Sequence, residues 1–202
     1  MISDNKIWMY WNDGLENAPK SVQLCINSWK VQNKNYEVVV LEDNTISEWI
    51  DIPKFQDTVM TIQAFSNILR IFLLSKYGGI WADATLWCTK PVDGWVDNYS
   101  DDFFVFSNPT DSRMIASWFV KSSKDNIILK EWKDRVIDYI ENTKVVINNF
   151  WFHGLFEKIY NENIDVKNQW DSVLKYDVNR NNRVLENPLY FSKITDDDLD
   201  DL

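Results

Sequence analysis

The sequence predicts an α/β domain in which a mostly parallel sheet is flanked by helices and followed by a helical C-terminal half. Residues 7–11 and 36–41 are short apolar runs that each end in a polar loop, as buried strands do. Residues 18–32 and 62–77 carry apolar side chains at helical spacing. Strands that alternate with helices in this way usually lie parallel in one sheet.

The remaining chain supplies further strands and then helices. Residues 80–88, 103–106 and 114–120 are expected to be strands, whereas residues 126–142 and 148–161 are expected to be helices with charged outer faces. The second half therefore adds a helical layer and does not repeat the first half.

The chain is expected to form one domain. Its 202 residues suit a single buried core, and no repeat or linker rich in Pro, Gly or Ser divides it. Residues 1–195 are assigned to this domain. Residues 196–202 are acidic and are expected to form a solvated tail.

Composition excludes several classes of function and location. The formal net charge of −10 argues against nucleic-acid binding. The two cysteines are far apart and predict neither a disulfide framework nor a zinc site. No signal peptide or long apolar run is evident, so we expect a cytoplasmic protein without a transmembrane segment, and peripheral membrane association stays open. The 11 Trp residues could include platforms for sugars or bases.

One predicted helix has a coherent polar face. Gln63, Ser66, Asn67 and Arg70 are three or four residues apart, so they share one side of the helix beside its apolar stripe. Helical spacing alone favours a solvent-exposed stripe with one Arg over a functional face.

The turn and strand that follow this helix add an unusual acid. Residues 78–79 are both glycine, which permits a tight reversal or close approach to a ligand. In an extended strand, Trp81, Asp83 and Thr85 would point to the same side. Burying Asp83 is costly unless it meets a cation. It could pair with Arg70, or it could bind a divalent ion that neutralises a diphosphate.

A series of spaced motifs covers residues 7–91. They are Trp11 with Gly14, Ala18-Pro19, Ser28-Trp29, Ser66 to Arg70, Tyr77 to Thr85 and the trailing Thr89-Lys90-Pro91. Together and in this order they resemble the DXD-type glycosyltransferases related to capsular polysaccharide synthesis proteins. A more distant similarity is to the glucosyltransferase domains of large clostridial toxins.

The resemblance implies a GT-A-like fold and a hexosyltransferase-like enzyme of polysaccharide or capsule synthesis. The donor would be a UDP-sugar, the acceptor a carbohydrate, and the anomeric configuration would be retained. Mn²⁺ or Mg²⁺ would lie between the protein and the diphosphate.

The resemblance also implies roles for individual residues. Trp11 would stack on the base, and Asp83 and Arg70 would be catalytic. The substrate-binding residues would be Trp11, Ser66, Asn67, Arg70, Gly79, Trp81 and Asp83. The metal ligands would be Asp83 and Thr85, with the lone His153 as a further candidate, although a histidine in aromatic surroundings is more often structural.

Two departures from the family pattern leave other functions open. Asn67 stands where the wider family has Asp, and Thr85 stands where the strict motif has a second Asp, which weakens any metal site. A non-catalytic nucleotide-sugar or carbohydrate-binding protein is therefore an alternative, and a hydrolase is a third, less favoured one. Spacing identifies no carboxylate nucleophile, so front-face attack and an unidentified nucleophile both remain open.

Overall fold

A computed structural model describes residues 5–53, 58–99, 102–148 and 150–178, together with the backbone of residues 189–190. Residues 1–4 and the expected acidic tail at 196–202 lie outside these ranges.

The described elements alternate as the sequence predicts. The strands are β1 Lys6–Tyr10, β2 Glu37–Leu41, β3 Val59–Met60, β4 Gly79–Ala82, β5 Trp87–Cys88, β6 Phe103–Thr110, β7 Arg113–Ser122, β8 Val145–Val146, β9 Tyr176–Asp177 and β10 Leu189–Tyr190. The helices are α1 Lys20–Gln32, α2 Ile46–Trp49, α3 Ile62–Tyr77, α4 Ile127–Glu141, α5 Trp151–Glu162 and α6 Ile164–Ser172.

A six-stranded sheet in the order β2-β1-β4-β7-β6-β9 forms the centre of the molecule. β1 runs parallel to both β2 and β4, and β6 runs parallel to β9. β7 is antiparallel to both of its neighbours, β4 and β6. The expectation of a mostly parallel sheet flanked by helices is confirmed.

Helices cover both faces of this sheet. Side chains of β1 alternate between the two layers: Ile7 and Met9 pack on the side of α1, whereas Trp8 and Tyr10 pack on the side of α3, α4 and α5. These four side chains are buried, which explains why β1 is apolar at every position after Lys6. The second layer contains the helical C-terminal half that the sequence predicts.

The expected strand at residues 80–88 is wrong in one respect. β4 ends at Ala82, and a turn closed by a 3.0 Å hydrogen bond from Leu86 N to Asp83 O separates it from β5. Asp83 and Thr85 therefore lie in a turn and do not share the face of a strand. The alternating apolar pattern continues through the turn because Ala84 and Leu86 are buried there.

Gly78 fixes the junction between α3 and β4. Its φ of 68° is in the left-handed region, and its N–H caps α3 by donating to Leu74 O at 2.8 Å. A Cβ at this position would lie 2.9 Å from the backbone nitrogen of Lys124, so glycine is required sterically as well as conformationally.

The helices within the described residues are all too short or too polar to cross a membrane.

Candidate functional site

A pocket of about 600 Å³ opens where β1 and β4 end. This is the edge at which open α/β sheets usually bind ligands, because the loops after parallel strands meet there. The pocket is lined by Tyr10, Trp11, Asn12, Ile62, Gln63, Ser66, Asn67, Arg70, Trp81, Asp83, Ala84, Thr85, Arg113, Ser117, Trp118, Phe150 and His153.

An ion pair between α3 and the β4 turn forms the floor of the pocket. Arg70 Nη2 lies 3.0 Å from Asp83 Oδ1, and the same oxygen accepts a 2.7 Å hydrogen bond from Trp81 Nε1. The Arg70 side chain is almost completely buried, whereas about a third of the Asp83 side chain, 35%, is exposed. The carboxylate is thus anchored through one oxygen and still accessible from the pocket.

Further contacts hold the Arg70 guanidinium in place. Nη1 donates to the backbone oxygen of Ser117 on β7, and Nη2 also lies 3.3 Å from Ser66 Oγ. The guanidinium carbon lies 5.0 Å from the Trp81 ring centroid and 5.8 Å from that of Phe152. Arg70 therefore links α3, β4, β7 and α5, and its position is fixed by several elements at once.

Burial dominates the electrostatics of this pair. Burial raises the pKa of Asp83, while the Arg70 charge and the Trp81 hydrogen bond oppose that rise. Burial lowers the pKa of Arg70, and the Asp83 charge opposes this change. An arginine stays protonated in proteins, so the pair provides a fixed positive group beside a carboxylate.

Trp11 also lines the pocket. It follows β1 directly, is half-buried, and its N–H donates to Leu41 O at 3.0 Å. Gly14 stabilises this loop by donating to Trp11 O at 3.0 Å, and its φ is 81°. This φ lies in the left-handed region that residues with a Cβ rarely adopt, so the backbone conformation explains the glycine near Trp11.

The pocket brings together nearly all of the residues that the sequence singles out. Ser66, Asn67, Arg70, Trp81, Asp83 and Thr85 line it with Trp11 and His153. Gly79 does not line the pocket, because it is the first residue of β4 and the pocket lies where that strand ends. Asn67 is buried, so the polar face of α3 is not a solvent-exposed stripe.

The β6–β7 hairpin and the start of α5 supply pocket residues that the sequence analysis did not identify. Arg113 begins β7, donates to Thr110 Oγ1 at 3.2 Å, and places its guanidinium carbon 4.9 Å from the Phe150 ring centroid. Among the described residues Arg113 forms no ion pair. The sequence around Arg113 contains no recognisable motif, and Phe150 is distant from it in the chain. Only the three-dimensional structure therefore identifies Arg113 as a pocket residue.

Comparison with known proteins decides the family. A family model described as "Capsular polysaccharide synthesis protein" matches residues 1–192. The chain belongs to this family. A solved structure titled "PaToxG Glycosyltransferase" has the same fold, with a TM-score of 0.54 and 19% sequence identity over 83% of this chain and 74% of the other. The GT-A-like fold is therefore confirmed.

Two curated fungal proteins are similar in sequence to this chain. "O-glycosyltransferase braB" of Annulohypoxylon truncatum is 24% identical over 154 residues, which is 65% of this chain and 37% of the relative. "Glycosyltransferase afumC" of Aspergillus fumigatus is 24% identical over 150 residues, or 63% of this chain and 38% of the relative. The chain spans little more than a third of the length of these relatives.

The pocket offers few ligand atoms for the divalent ion that the resemblance implies. The described residues contain no group of three His, Cys, Asp or Glu side chains placed to hold a metal. Asp83 Oδ1 is already engaged by Arg70 and Trp81, which leaves the other carboxylate oxygen and the Thr85 hydroxyl. These two protein ligands fit a Mg²⁺ or Mn²⁺ site only if substrate phosphates supply the other ligands of the ion.

His153 lies in the first turn of α5 and lines the same pocket. It is buried, and the Phe150 and Phe152 rings each have centroids 6.2 Å from its ring centroid. Its role as a metal ligand stays a prediction.

Proposed function

We propose that this protein transfers a sugar from a UDP-sugar to a hydroxyl group of a carbohydrate-containing acceptor. The observation that carries the proposal is the convergence of Trp11, Arg70 and Asp83 in one pocket at the ends of β1 and β4. An aromatic face, a fixed cation and a carboxylate are the groups that a base, a diphosphate and a sugar require. The similarity to a protein named an O-glycosyltransferase supports an oxygen acceptor.

In this proposal Trp11 binds the base and Arg70 faces the donor diphosphate. The leaving diphosphate gains negative charge as the glycosidic bond breaks, so cations that are already positioned lower the barrier. Arg113 adds a second guanidinium to the pocket. With Arg70 and Arg113 against Asp83, the arginine and carboxylate side chains that line the pocket leave an excess of one positive charge.

A divalent ion brought by the donor would add Lewis-acid stabilisation of the diphosphate, and Asp83 with Thr85 would contribute the protein ligands. The exposed part of the Asp83 carboxylate also accepts hydrogen bonds from hydroxyl groups of the reacting sugar, or stabilises positive charge that develops on that sugar. The proposal therefore predicts that Mn²⁺ supports activity and that a chelator abolishes it.

Retention by attack on the front face is also part of the proposal. Asp83 is the one carboxylate among the described residues that line the pocket, and Arg70 neutralises it. A covalent glycosyl-enzyme needs a carboxylate that attacks the anomeric carbon, and pairing with Arg70 lowers the nucleophilicity of Asp83. Direct attack by the acceptor oxygen therefore suits these residues better.

The two free cysteines, both buried, fit a reducing compartment such as the cytoplasm.

Thermal-shift measurements with a panel of UDP-sugars, each with and without Mn²⁺, test donor binding. A donor that binds only the folded state should raise Tm, and the increase should grow with Mn²⁺. Turnover is then followed with and without acceptor. Release of UDP only with acceptor supports transfer, release without acceptor supports hydrolysis, and binding without release supports a non-catalytic nucleotide-sugar-binding protein. No Tm shift with any donor would contradict the proposal.

A further inference from the structure

Arg113 differs from the other described arginines because it lies in the pocket without an acidic partner. Arg70 pairs with Asp83. Arg135 pairs with Glu162 on the surface at 2.7 Å. No ion pair includes Arg113 within the part of the chain that the structure describes. Acidic groups are plentiful in this chain, with 31 acidic against 21 basic side chains, so an arginine without one is an exception.

The contacts of Arg113 fix its guanidinium and leave its terminal nitrogens for a ligand. Nε donates to Thr110 Oγ1 at 3.2 Å, and the guanidinium carbon lies 4.9 Å from the Phe150 ring centroid. Nη1 and Nη2 form no hydrogen bond to any described residue. These nitrogens are the part of an arginine that binds carboxylate or phosphate oxygens, often with both at once.

The proposed donor leaves the charge of Arg113 uncompensated. Arg70 and Asp83 balance each other, and a divalent ion balances the diphosphate of a nucleotide-sugar. Among the described arginine and carboxylate side chains of the pocket lining, the excess positive charge is then that of Arg113. Arg113 is half-buried, and a partly dehydrated cation is stabilised by an anion placed beside it. The second substrate is the molecule left to bring that anion.

Arg113 also comes from a different part of the fold than the residues assigned to the donor. The donor residues follow β1 or belong to α3 and the turn after β4, namely Trp11, Arg70 and Asp83. Arg113 begins β7 at its hairpin with β6, and Phe150 directly precedes α5. The guanidiniums of Arg70 and Arg113 therefore enter the pocket from separate elements. Arg113 is available for a second substrate while Arg70 faces the donor.

We infer that Arg113 is a specificity residue that binds an acidic group of the acceptor, so that the acceptor is a sugar with a carboxylate or a phosphate. This inference rests on the proposed function, since it names the acceptor class for the same pocket. Thr110 and Phe150 position the guanidinium for this contact through the hydrogen bond and the ring described above.

The test compares the binding of neutral and acidic sugars to protein saturated with UDP and Mg²⁺, which fill the donor region. The probes are the methyl glycosides of glucose and galactose, the matching uronic acids, and the matching phosphate esters of the hydroxymethyl group. Isothermal titration calorimetry should show at least one acid binding about tenfold or more tightly than its neutral counterpart, because charge-assisted hydrogen bonds are the stronger ones. The net charge of −10 repels anions in general, so such a preference has a local cause.

Three variants connect this preference to one side chain. Arg113→Gln should lose the preference for the acid while its Tm and its Tm shift with UDP stay unchanged. Arg113→Lys keeps the charge without the planar group and should show a smaller preference than wild type. Arg135→Gln is the matched control, because it removes an arginine that lies in a surface ion pair, and it should keep the full preference.

A tighter-binding uronic acid identifies a carboxylate, and a tighter-binding ester identifies a phosphate; both support the inference. Equal binding of acidic and neutral sugars by wild type overturns it, as does a preference that survives in Arg113→Gln. A loss of UDP binding in Arg113→Gln also overturns it, because Arg113 would then serve the donor.

The Tm shift with UDP is measured on the same samples and reports the donor region separately. A normal shift without any preference for acids contradicts only the acceptor class. The absence of a shift contradicts the proposed function itself, and the inference fails with it.

Discussion

Arg70 Nη2 lies 3.0 Å from Oδ1 of Asp83, across the gap between helix α3 and the turn after β4. The ion pair is formed through one carboxylate oxygen, and about a third of the Asp83 side chain stays exposed, 35%. A structural role and a role in ligand binding are therefore compatible in the same residue. The two roles can be separated by measuring stability and turnover on the same variants.

Asp83→Asn should reduce sugar transfer by a factor of about a hundred or more, because it removes the one negative charge among the described residues that line the pocket. It should also lower the free energy of unfolding by about 1–3 kcal/mol. This is less than for a fully buried pair, since the carboxylate is partly exposed and the amide oxygen can still accept from Arg70. Turnover and urea denaturation of one preparation measure both effects.

Asp97→Asn is the control for this change. Asp97 is exposed and pairs with Lys121 away from the pocket. Its loss should change neither turnover nor stability measurably. If Asp83→Asn lowers turnover only in proportion to the loss of folded protein, Asp83 acts solely as the partner of Arg70.

Trp11→Ala should weaken binding of the UDP-sugar roughly tenfold or more, because base stacking on an aromatic ring is worth about 1–3 kcal/mol. Stability should fall less than for a core tryptophan, since Trp11 is only half-buried. Trp29→Ala is the comparison. Trp29 is fully buried and donates to Leu86 O at 2.7 Å, so its loss should cost about 3–5 kcal/mol. Unchanged donor affinity in Trp11→Ala would show that Trp11 contributes to packing and not to donor binding.

Arg113→Gln should raise KM for donor or acceptor about tenfold and leave Tm nearly unchanged. Its guanidinium lines the pocket, is half-buried, and forms no ion pair among the described residues, so the fold depends on it little. Arg135→Gln is the matched control, because Arg135 pairs with Glu162 on the surface at 2.7 Å. Steady-state kinetics of the two variants provide the measurement. Equal KM values for Arg113→Gln and Arg135→Gln would show that Arg113 does not contribute to substrate binding.

Gly78→Ala should destabilise the protein by about 1–3 kcal/mol, because the left-handed φ of 68° disfavours alanine and its Cβ would lie 2.9 Å from Lys124 N. Gly154→Ala should have the opposite sign. Gly154 is exposed within α5 with nothing near its Cβ position, so alanine should stabilise the helix by about 0.5–1 kcal/mol. Chemical denaturation of both variants decides the sign.

Sequence periodicity predicts the sheet and its covering helices well where the pattern extends over several turns. α3 begins at the expected residue, where the Thr61 side chain caps it by accepting from Ala64 N, and it ends at the expected residue because Gly78 and Gly79 follow it. The boundary of β4 is less predictable, because an apolar pattern continues through the turn at Asp83 to Leu86. The two-residue strands β3 and β8 have no periodic pattern of their own and depend on pairing with each other.

The candidate site is predictable on one side only. Trp11, Arg70 and Asp83 belong to motifs with recognisable spacing, and the pocket contains all three. Arg113 and Phe150 come from a hairpin and a helix start that are distant in sequence, and only packing brings them to the same rim. Spacing within one element cannot predict a contact between two elements.

The order of strands in the sheet also determines when the pocket can form during synthesis. β1 and its loop with Trp11 are made first, but β1 cannot be enclosed until β4 emerges after α3. β4 in turn pairs with β7, and the backbone oxygen that holds Arg70 belongs to Ser117 on that strand. A nascent chain that stops before β7 therefore lacks the strand that pairs with β4, and its Arg70 is not yet oriented. Pairings between strands so distant in the chain form slowly, and newly made chains expose the edges of β1 and β4 for longer than a helical bundle of similar size would expose its surfaces.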